Sequence, residues 1–114
     1  MPNQGPDVVS EEGLRELLSR GHQAVVVCSE TPRQKAYFWH GQWHILCASL
    51  DGQSERLLVS ARRDAKGGDK PREFKTANGL ISFLHDLGFR MVMVPMEEGG
   101  RIGHNLLHHG RTRA

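Results

Sequence analysis

The expected architecture starts from one run, Lys35-Ala36-Tyr37-Phe38-Trp39-His40-Gly41-Gln42-Trp43-His44-Ile45-Leu46-Cys47-Ala48-Ser49, which holds four of the seven aromatic residues of the chain. Glycine at the first central position of a two-residue connection suits a type II′ turn, so the turn is predicted at Gly41-Gln42. Residues 35–40 and 43–49 then form antiparallel strands whose side chains alternate between two faces. One predicted face carries Phe38, His40, Trp43, Ile45 and Cys47, and the other carries Tyr37, Trp39, His44 and Leu46.

Three further strands are predicted around this hairpin. Residues 24–28 are apolar at every position, which is typical of a strand buried on both faces. A turn at 50–53 leads to a strand at 55–61. Residues 89–94 form the last predicted strand, which Pro95 ends.

Two amphipathic helices are predicted from their capping residues. Ser10 is the N-cap of the first, over residues 11–20, and Gly21 follows its end. Thr76 is the N-cap of the second, and Gly88 closes it. The apolar residues of each helix fall on a single face, so both helices are expected to pack on the sheet.

The elements follow the order α-β-β-β-β-α-β and predict an α+β fold. The expected domain has two layers, with an antiparallel sheet of about five strands and two helices packed on one face. Residues 10–97 are predicted to form this single domain, after a flexible N-terminus at 1–9. A charged loop at 62–72 interrupts it, and a basic, flexible tail follows at 98–114.

The composition is that of one soluble globular domain. The chain has 114 residues, of which 38% are hydrophobic and 25% charged, and a formal net charge of +2. Its longest apolar run is far too short to span a membrane, and the N-terminus lacks the pattern of a secretory signal. We therefore expect a cytoplasmic protein that does not bind membranes. Cys28 and Cys47 are expected to be buried, reduced thiols.

No catalytic signature stands out in the sequence, and neither an enzyme nor a cofactor is predicted. The chain has seven histidines, and His104 and His108 would share a face if 101–109 were helical. No Glu, Asp or Cys lies near them to complete a metal site, so the more ordinary interpretation is a solvated cationic tail. A metal-dependent enzyme using these histidines stays open as an alternative.

Two surfaces are candidates for binding a partner. The charged loop and the tail could neutralise nucleic-acid phosphates, although a loop kept soluble by mixed charge explains the loop equally well. The aromatic hairpin could contact protein or stack on bases, although core packing is the more common role of such side chains. The candidate residues are Tyr37, Trp39, His44, Arg62, Arg63, Lys66, Lys70, Arg72, Arg101, Arg111 and Arg113.

Two segments carry a resemblance to a known family. They are Gly13-Leu14-Arg15-Glu16-Leu17-Leu18-Ser19-Arg20-Gly21 and Arg72-Glu73-Phe74-Lys75-Thr76-Ala77-Asn78-Gly79-Leu80-Ile81-Ser82-Phe83-Leu84-His85-Asp86-Leu87-Gly88-Phe89. Over residues 10 to 97 the chain resembles the small partition-associated proteins of the ParC type, found on bacterial plasmids and integrative elements and unrelated to the topoisomerase subunit of that name. The charged loop is longer here than in that family, and the hairpin is richer in Trp and His.

The resemblance implies a non-enzymatic accessory protein of a mobile genetic element. Such a protein would act in plasmid partition or maintenance by binding a protein partner, with DNA contacted through the charged loop and the tail. A small inhibitor of a host nucleic-acid-handling or defence complex is the alternative. An exposed strand edge or aromatic face could also support a homodimer, and the sequence does not choose between these partners.

Overall fold

The computed structural model describes residues 7–63 and 65–106, with residues 62 and 63 described by their backbone alone. Two helices and seven strands occur in this part of the chain. Their bounds are β1 Val8–Val9, α1 Glu11–Ser19, β2 Gln23–Lys35, β3 Phe38–Ala48, β4 Glu55–Arg63, β5 Asp69–Pro71, β6 Phe74–Thr76, α2 Ala77–Leu87 and β7 Arg101–Asn105.

The strands form one sheet with the order β1-β4-β3-β2-β7, to which β5 is added beside β4 and β6 beside β3. Strand β1 runs parallel to β4, and the other pairs are antiparallel. The predicted α+β class is therefore confirmed. The sheet is mixed and larger than predicted, because β1, β5 and β6 are two or three residues long and carry no sequence pattern of their own.

Both helices begin and end where the capping residues predict. The hydroxyl oxygen of Ser10 accepts a 3.0 Å hydrogen bond from the backbone N–H of Gly13. The hydroxyl oxygen of Thr76 accepts one of the same length from the backbone N–H of Gly79. Gly88 follows α2 with a φ of 114°, a value that favours glycine. The helices contribute to one core with the strands, so they cover the same face of the sheet. This core contains Leu14, Leu18, Ala24, Val26, Cys28, Trp43, Ile45, Cys47, Leu58, Leu80, Leu84 and Phe89.

The turn of the central hairpin lies at Ala36-Tyr37, so the predicted turn at Gly41-Gln42 is wrong. Gly41 lies inside β3, where a Cβ atom would come within 2.9 Å of the Glu30 carbonyl oxygen. Glycine is needed there because the irregular part of β2 approaches closely. The turn instead begins at Ala36, whose φ of 60° is rare for a residue with a side chain.

The predicted last strand at 89–94 is also wrong, because this segment does not pair with the sheet. It crosses the helix-covered face of the sheet, where Phe89 is buried and Val92 and Val94 pack against the core. The indole N–H of Trp43 donates to the Pro95 carbonyl oxygen over 2.8 Å and holds the segment in place. Over residues 91–94 the side chains alternate between solvent and core, which resembles the pattern of a strand although no ladder is formed.

Residues assigned to the charged loop and to the tail contribute strands. Strand β4 reaches Arg63 and pairs with β5, so most of the predicted loop at 62–72 is a hairpin. Strand β7 begins at Arg101 within the predicted tail and pairs with β2 at the sheet edge. The charge pattern did not predict β5 or β7, because short edge strands are exposed and tolerate charged residues.

Candidate nucleic-acid interface

The hairpin formed by β2 and β3 extends past the core as an arm, residues 33–40. Its register pairs Arg33 with His40, Gln34 with Trp39 and Lys35 with Phe38. The last core residue of β2 is Cys28, and that of β3 is Trp43. The arm therefore lies beyond the buried part of both strands.

The two faces of the arm differ in chemistry. Directly paired residues of antiparallel strands project to the same side, and residues two apart along one strand do so as well. The cationic face accordingly holds Arg33, Lys35, Phe38 and His40, and the rings of the last two meet edge to face with centroids 6.4 Å apart. The opposite face holds the Gln34 and Trp39 pair.

The aromatic side chains of the arm are exposed to solvent. Tyr37 at the turn is 92% exposed, Phe38 49% and Trp39 41%. Trp43, only four residues further on, is fully buried in the core. Three consecutive exposed aromatics at the end of a hairpin do not stabilise the core, so their surface is available for contact with a ligand or partner.

A groove of about 680 Å³ runs beside the arm. Arg33 and Lys35 line it from β2, and Lys75 lines it from β6. Glu30 is the acidic residue among its described lining residues. None of these three cations forms an ion pair with an acid in residues 7–63 and 65–106. The groove therefore carries excess positive charge that is open to an anionic ligand.

The predicted aromatic candidates separate in the structure. Tyr37 and Trp39 lie together on the arm, whereas His44 lies on the sheet face opposite the helices, where it pairs with Val27. His44 is half-buried, and this burial lowers its pKa from the ordinary value, although the nearby Glu73 carboxylate acts in the opposite direction. The structure thus brings two of the three predicted residues to one surface.

The predicted basic candidates are spread over several elements. Arg72 stacks on the rings of Phe74 and Phe83, at 4.4 and 5.5 Å from their centroids, and Arg101 forms an ion pair with Glu55. Four candidates belong to the β4–β5 hairpin or its connection, of which two are described only by their backbone. These are Arg62, Arg63, Lys66 and Lys70. Arg111 and Arg113 lie outside the described residues.

The histidine hypothesis rested on a helix over 101–109, and the structure has β7 there up to Asn105. His104 is buried, and its Nε2 accepts a 2.8 Å hydrogen bond from the backbone N–H of Met93. Its Nδ1 lies 3.3 Å from the Ala24 carbonyl oxygen. Within the described residues no three His, Cys, Asp or Glu side chains come together as metal ligands. His108 lies outside them.

The arm contains functional candidates that sequence reasoning missed. Arg33, Lys35 and His40 were not among the predicted candidates. A turn at Gly41-Gln42 leaves Arg33 outside the hairpin and pairs neither Arg33 with His40 nor Lys35 with Phe38. The usable signal was the alternation of Arg33, Gln34 and Lys35 opposite Phe38, Trp39 and His40. With the turn at Ala36-Tyr37 this alternation places both cations on one side with Phe38 and His40, and Gln34 with Trp39 on the other.

Comparison with known proteins identifies no relative. No protein-family model, no curated protein and no solved structure matches the chain. No helix in the part of the chain that the structure describes is long and apolar enough to cross a membrane.

Proposed function

We propose that the protein is a non-enzymatic accessory protein of a mobile genetic element that binds nucleic acid through its arm. The observation that supports this proposal is the combination, on one exposed hairpin, of three solvent-facing aromatics with two cations, Arg33 and Lys35, that form no ion pair with any described acidic residue. Aromatic rings supply faces on which bases stack, and Lys and Arg supply the charge that phosphates require. The arm presents both within eight residues.

The charge of the arm favours a nucleic acid over a protein as its partner. Protein interfaces are built around a desolvated apolar centre, from which Lys is depleted. Here Arg33 and Lys35 flank Phe38 and stay exposed. A polyanion compensates these charges, whereas an apolar protein surface would have to bury them at a cost. Binding that weakens steeply with salt is the expected signature.

The setting in plasmid partition or maintenance is supported by the resemblance of the two segments at 13–21 and 72–89 to partition-associated proteins. The structure uses these segments for α1 and for the stretch from Arg72 through β6 and α2, which help to build the core. The arm lies outside both segments. Its composition would therefore distinguish this chain from other proteins with the same scaffold.

A binding assay on the whole chain tests the proposal. Purified protein is titrated with labelled single-stranded and duplex oligonucleotides at increasing salt, and the wild type is compared with the Arg33→Ala/Lys35→Ala variant. We expect the wild type to bind and the variant to bind less, with a smaller dependence on salt. Arg90→Ala, which removes an exposed cation far from the arm in sequence, is the matched control and should bind like the wild type.

The cellular part of the proposal is tested by measuring the fraction of cells that keep the mobile genetic element over many generations without selection. Loss of retention in the Arg33→Ala/Lys35→Ala variant, with retention kept in Arg90→Ala, is the expected result. If the wild type binds no oligonucleotide but co-purifies with a host nucleic-acid-handling complex through the arm, the inhibitor hypothesis replaces this one.

A further inference from the structure

We infer that the arm takes a single strand, with unstacked bases placed on Trp39 and Phe38 and the sugar-phosphate chain running along Arg33, Lys35 and Lys75. This inference rests on the proposed function and specifies its ligand. It goes beyond the charge of the arm, because charge alone does not distinguish a single strand from a duplex.

The exposed aromatic rings of the arm suit an unpaired strand better than a duplex. In a duplex the base faces are covered by their neighbours in the stack, so exposed aromatic rings find no partner there. A two-stranded ribbon can enter the major groove, where it reads base edges with Arg, Lys, Asn or Gln side chains. The arm has such side chains in β2, but its exposed end presents Tyr37, Phe38 and Trp39, which have no role in reading base edges. These side chains match the π-faces of an unpaired strand.

Aromatic rings lie on both faces of the arm, which favours a flexible ligand. Phe38 lies on the cationic face and Trp39 on the opposite one, with Tyr37 at the turn between them. A stiff duplex could meet only one side of such a ribbon, whereas a flexible single strand can bend around its end. The rings on both sides are then used by successive bases.

The groove beside the arm holds a third cation, Lys75. Lys75 belongs to β6, which pairs with β3 through Thr76 opposite His40, so its cation is held beside the base of the arm by a different strand. Together with Arg33 and Lys35 it extends the positive charge from the arm toward the sheet. The strand would therefore enter over the groove and end at the rings.

Trp39 provides a direct readout of this arrangement. The chain has two tryptophans, and Trp43 is fully buried with its N–H bonded to Pro95, so a ligand on the arm changes chiefly the emission of Trp39. The probes are oligothymidylate and oligouridylate of about 12 nucleotides, an abasic strand of the same length and the corresponding duplex. We expect quenching by the two single strands, and at least tenfold weaker binding of the abasic strand and the duplex.

Variants separate stacking from charge, and their binding is measured with labelled oligonucleotides because Trp39→Ala removes the fluorescent reporter. Trp39→Ala and Phe38→Ala should each weaken binding of the single strands by about tenfold or more, as removal of a stacking platform does. Lys75→Ala should weaken every probe and reduce the salt slope by roughly 1. Leu50→Ala removes an exposed apolar side chain at the other end of β3 and should leave binding unchanged. Thermal unfolding and far-ultraviolet circular dichroism of each variant establish that it is folded.

The outcomes discriminate between this inference and the proposed function. If the duplex binds as tightly as the single strands and the aromatic variants bind normally, the single-strand inference is overturned while nucleic-acid binding stands. If no oligonucleotide binds, both are overturned and the exposed aromatics are left as a protein contact.

Discussion

The two tryptophans, four residues apart in one strand, have opposite roles. Trp43 is fully buried, and its indole N–H donates to the Pro95 carbonyl oxygen at 2.8 Å, which fixes the segment 89–95 over the core. Trp39 is 41% exposed and lies on the arm. The substitution of each by phenylalanine should therefore separate stability from binding.

We expect Trp43→Phe to lower the free energy of unfolding by about 2 kcal/mol, because it leaves a partly buried carbonyl without its donor and removes core volume. Trp39→Phe should change it by less than about 0.5 kcal/mol. Chemical denaturation of both variants measures these changes. Equal losses in the two variants would contradict the assignment of the two side chains.

The two cysteines are expected to be inert in the folded protein. Cys28 is 1% exposed and Cys47 2% exposed, and burial raises the pKa of both thiols. Since the thiolate is the reactive form, an aromatic disulfide reagent at pH about 8 should label neither residue rapidly until denaturant is added. Rapid labelling of the native protein would show that the core opens near β2 or β3.

At the scale of elements, the end of α2 depends on one glycine. Gly88 has a φ of 114°, and a Cβ atom there would lie 3.2 Å from Leu106 Cδ1. Gly52 also has a positive φ, 73°, but a Cβ atom at that position would meet nothing within 4 Å. Substitution of each glycine by alanine therefore separates the cost of backbone strain from the cost of steric contact.

We expect Gly88→Ala to cost about 2 kcal/mol and Gly52→Ala about 1 kcal/mol, since both pay for a left-handed backbone and only the first also displaces a neighbour. Thermal unfolding of the two variants compares them. Equal losses in the two variants would mean that Leu106 moves aside without cost.

Elements that local chemistry specifies were predictable, and elements that depend on distant contacts were not. The caps of α1 and α2 follow from residues within one helical turn, so Ser10, Thr76 and Gly88 were identified correctly. The central turn was misplaced because Gly41 has the residue type of a turn, yet its lack of a side chain serves the approach of Glu30 from β2. Such a contact leaves no local signal.

At the scale of the whole molecule, the fold class was predictable from the order of helices and strands, but the sheet was not. Pairing of β1 with β4 and of β7 with β2 joins residues far apart in the chain, and the register is set by the assembled core. The aromatic part of the candidate site was predicted from the sequence, but its cationic part was not. Tyr37 and Trp39 stood out by composition, whereas Arg33 joins their hairpin, and Lys35 lies opposite Phe38, only with the turn at Ala36-Tyr37.

The sheet face opposite the helices gives the molecule a pH dependence through His44. Burial there lowers the pKa of His44, so the folded protein binds a proton on this imidazole at lower pH than the unfolded chain does, for which the pKa is about 6.5. As the pH falls below that value the unfolded state takes up the proton first, and stability is lost until the folded state is protonated as well. The Glu73 carboxylate limits this loss, because it favours the charged imidazole.

We therefore expect wild-type protein to lose more stability than the His44→Gln variant when the pH is lowered from about 7.5 to about 5, across the unfolded pKa of histidine. Glutamine keeps a polar side chain of similar length at the position but cannot titrate, so the other histidines contribute equally to both proteins. Urea denaturation at the two pH values measures the difference. If the two proteins lose stability in parallel, His44 titrates alike in the folded and unfolded states, and its side chain is open to water despite its place on the sheet.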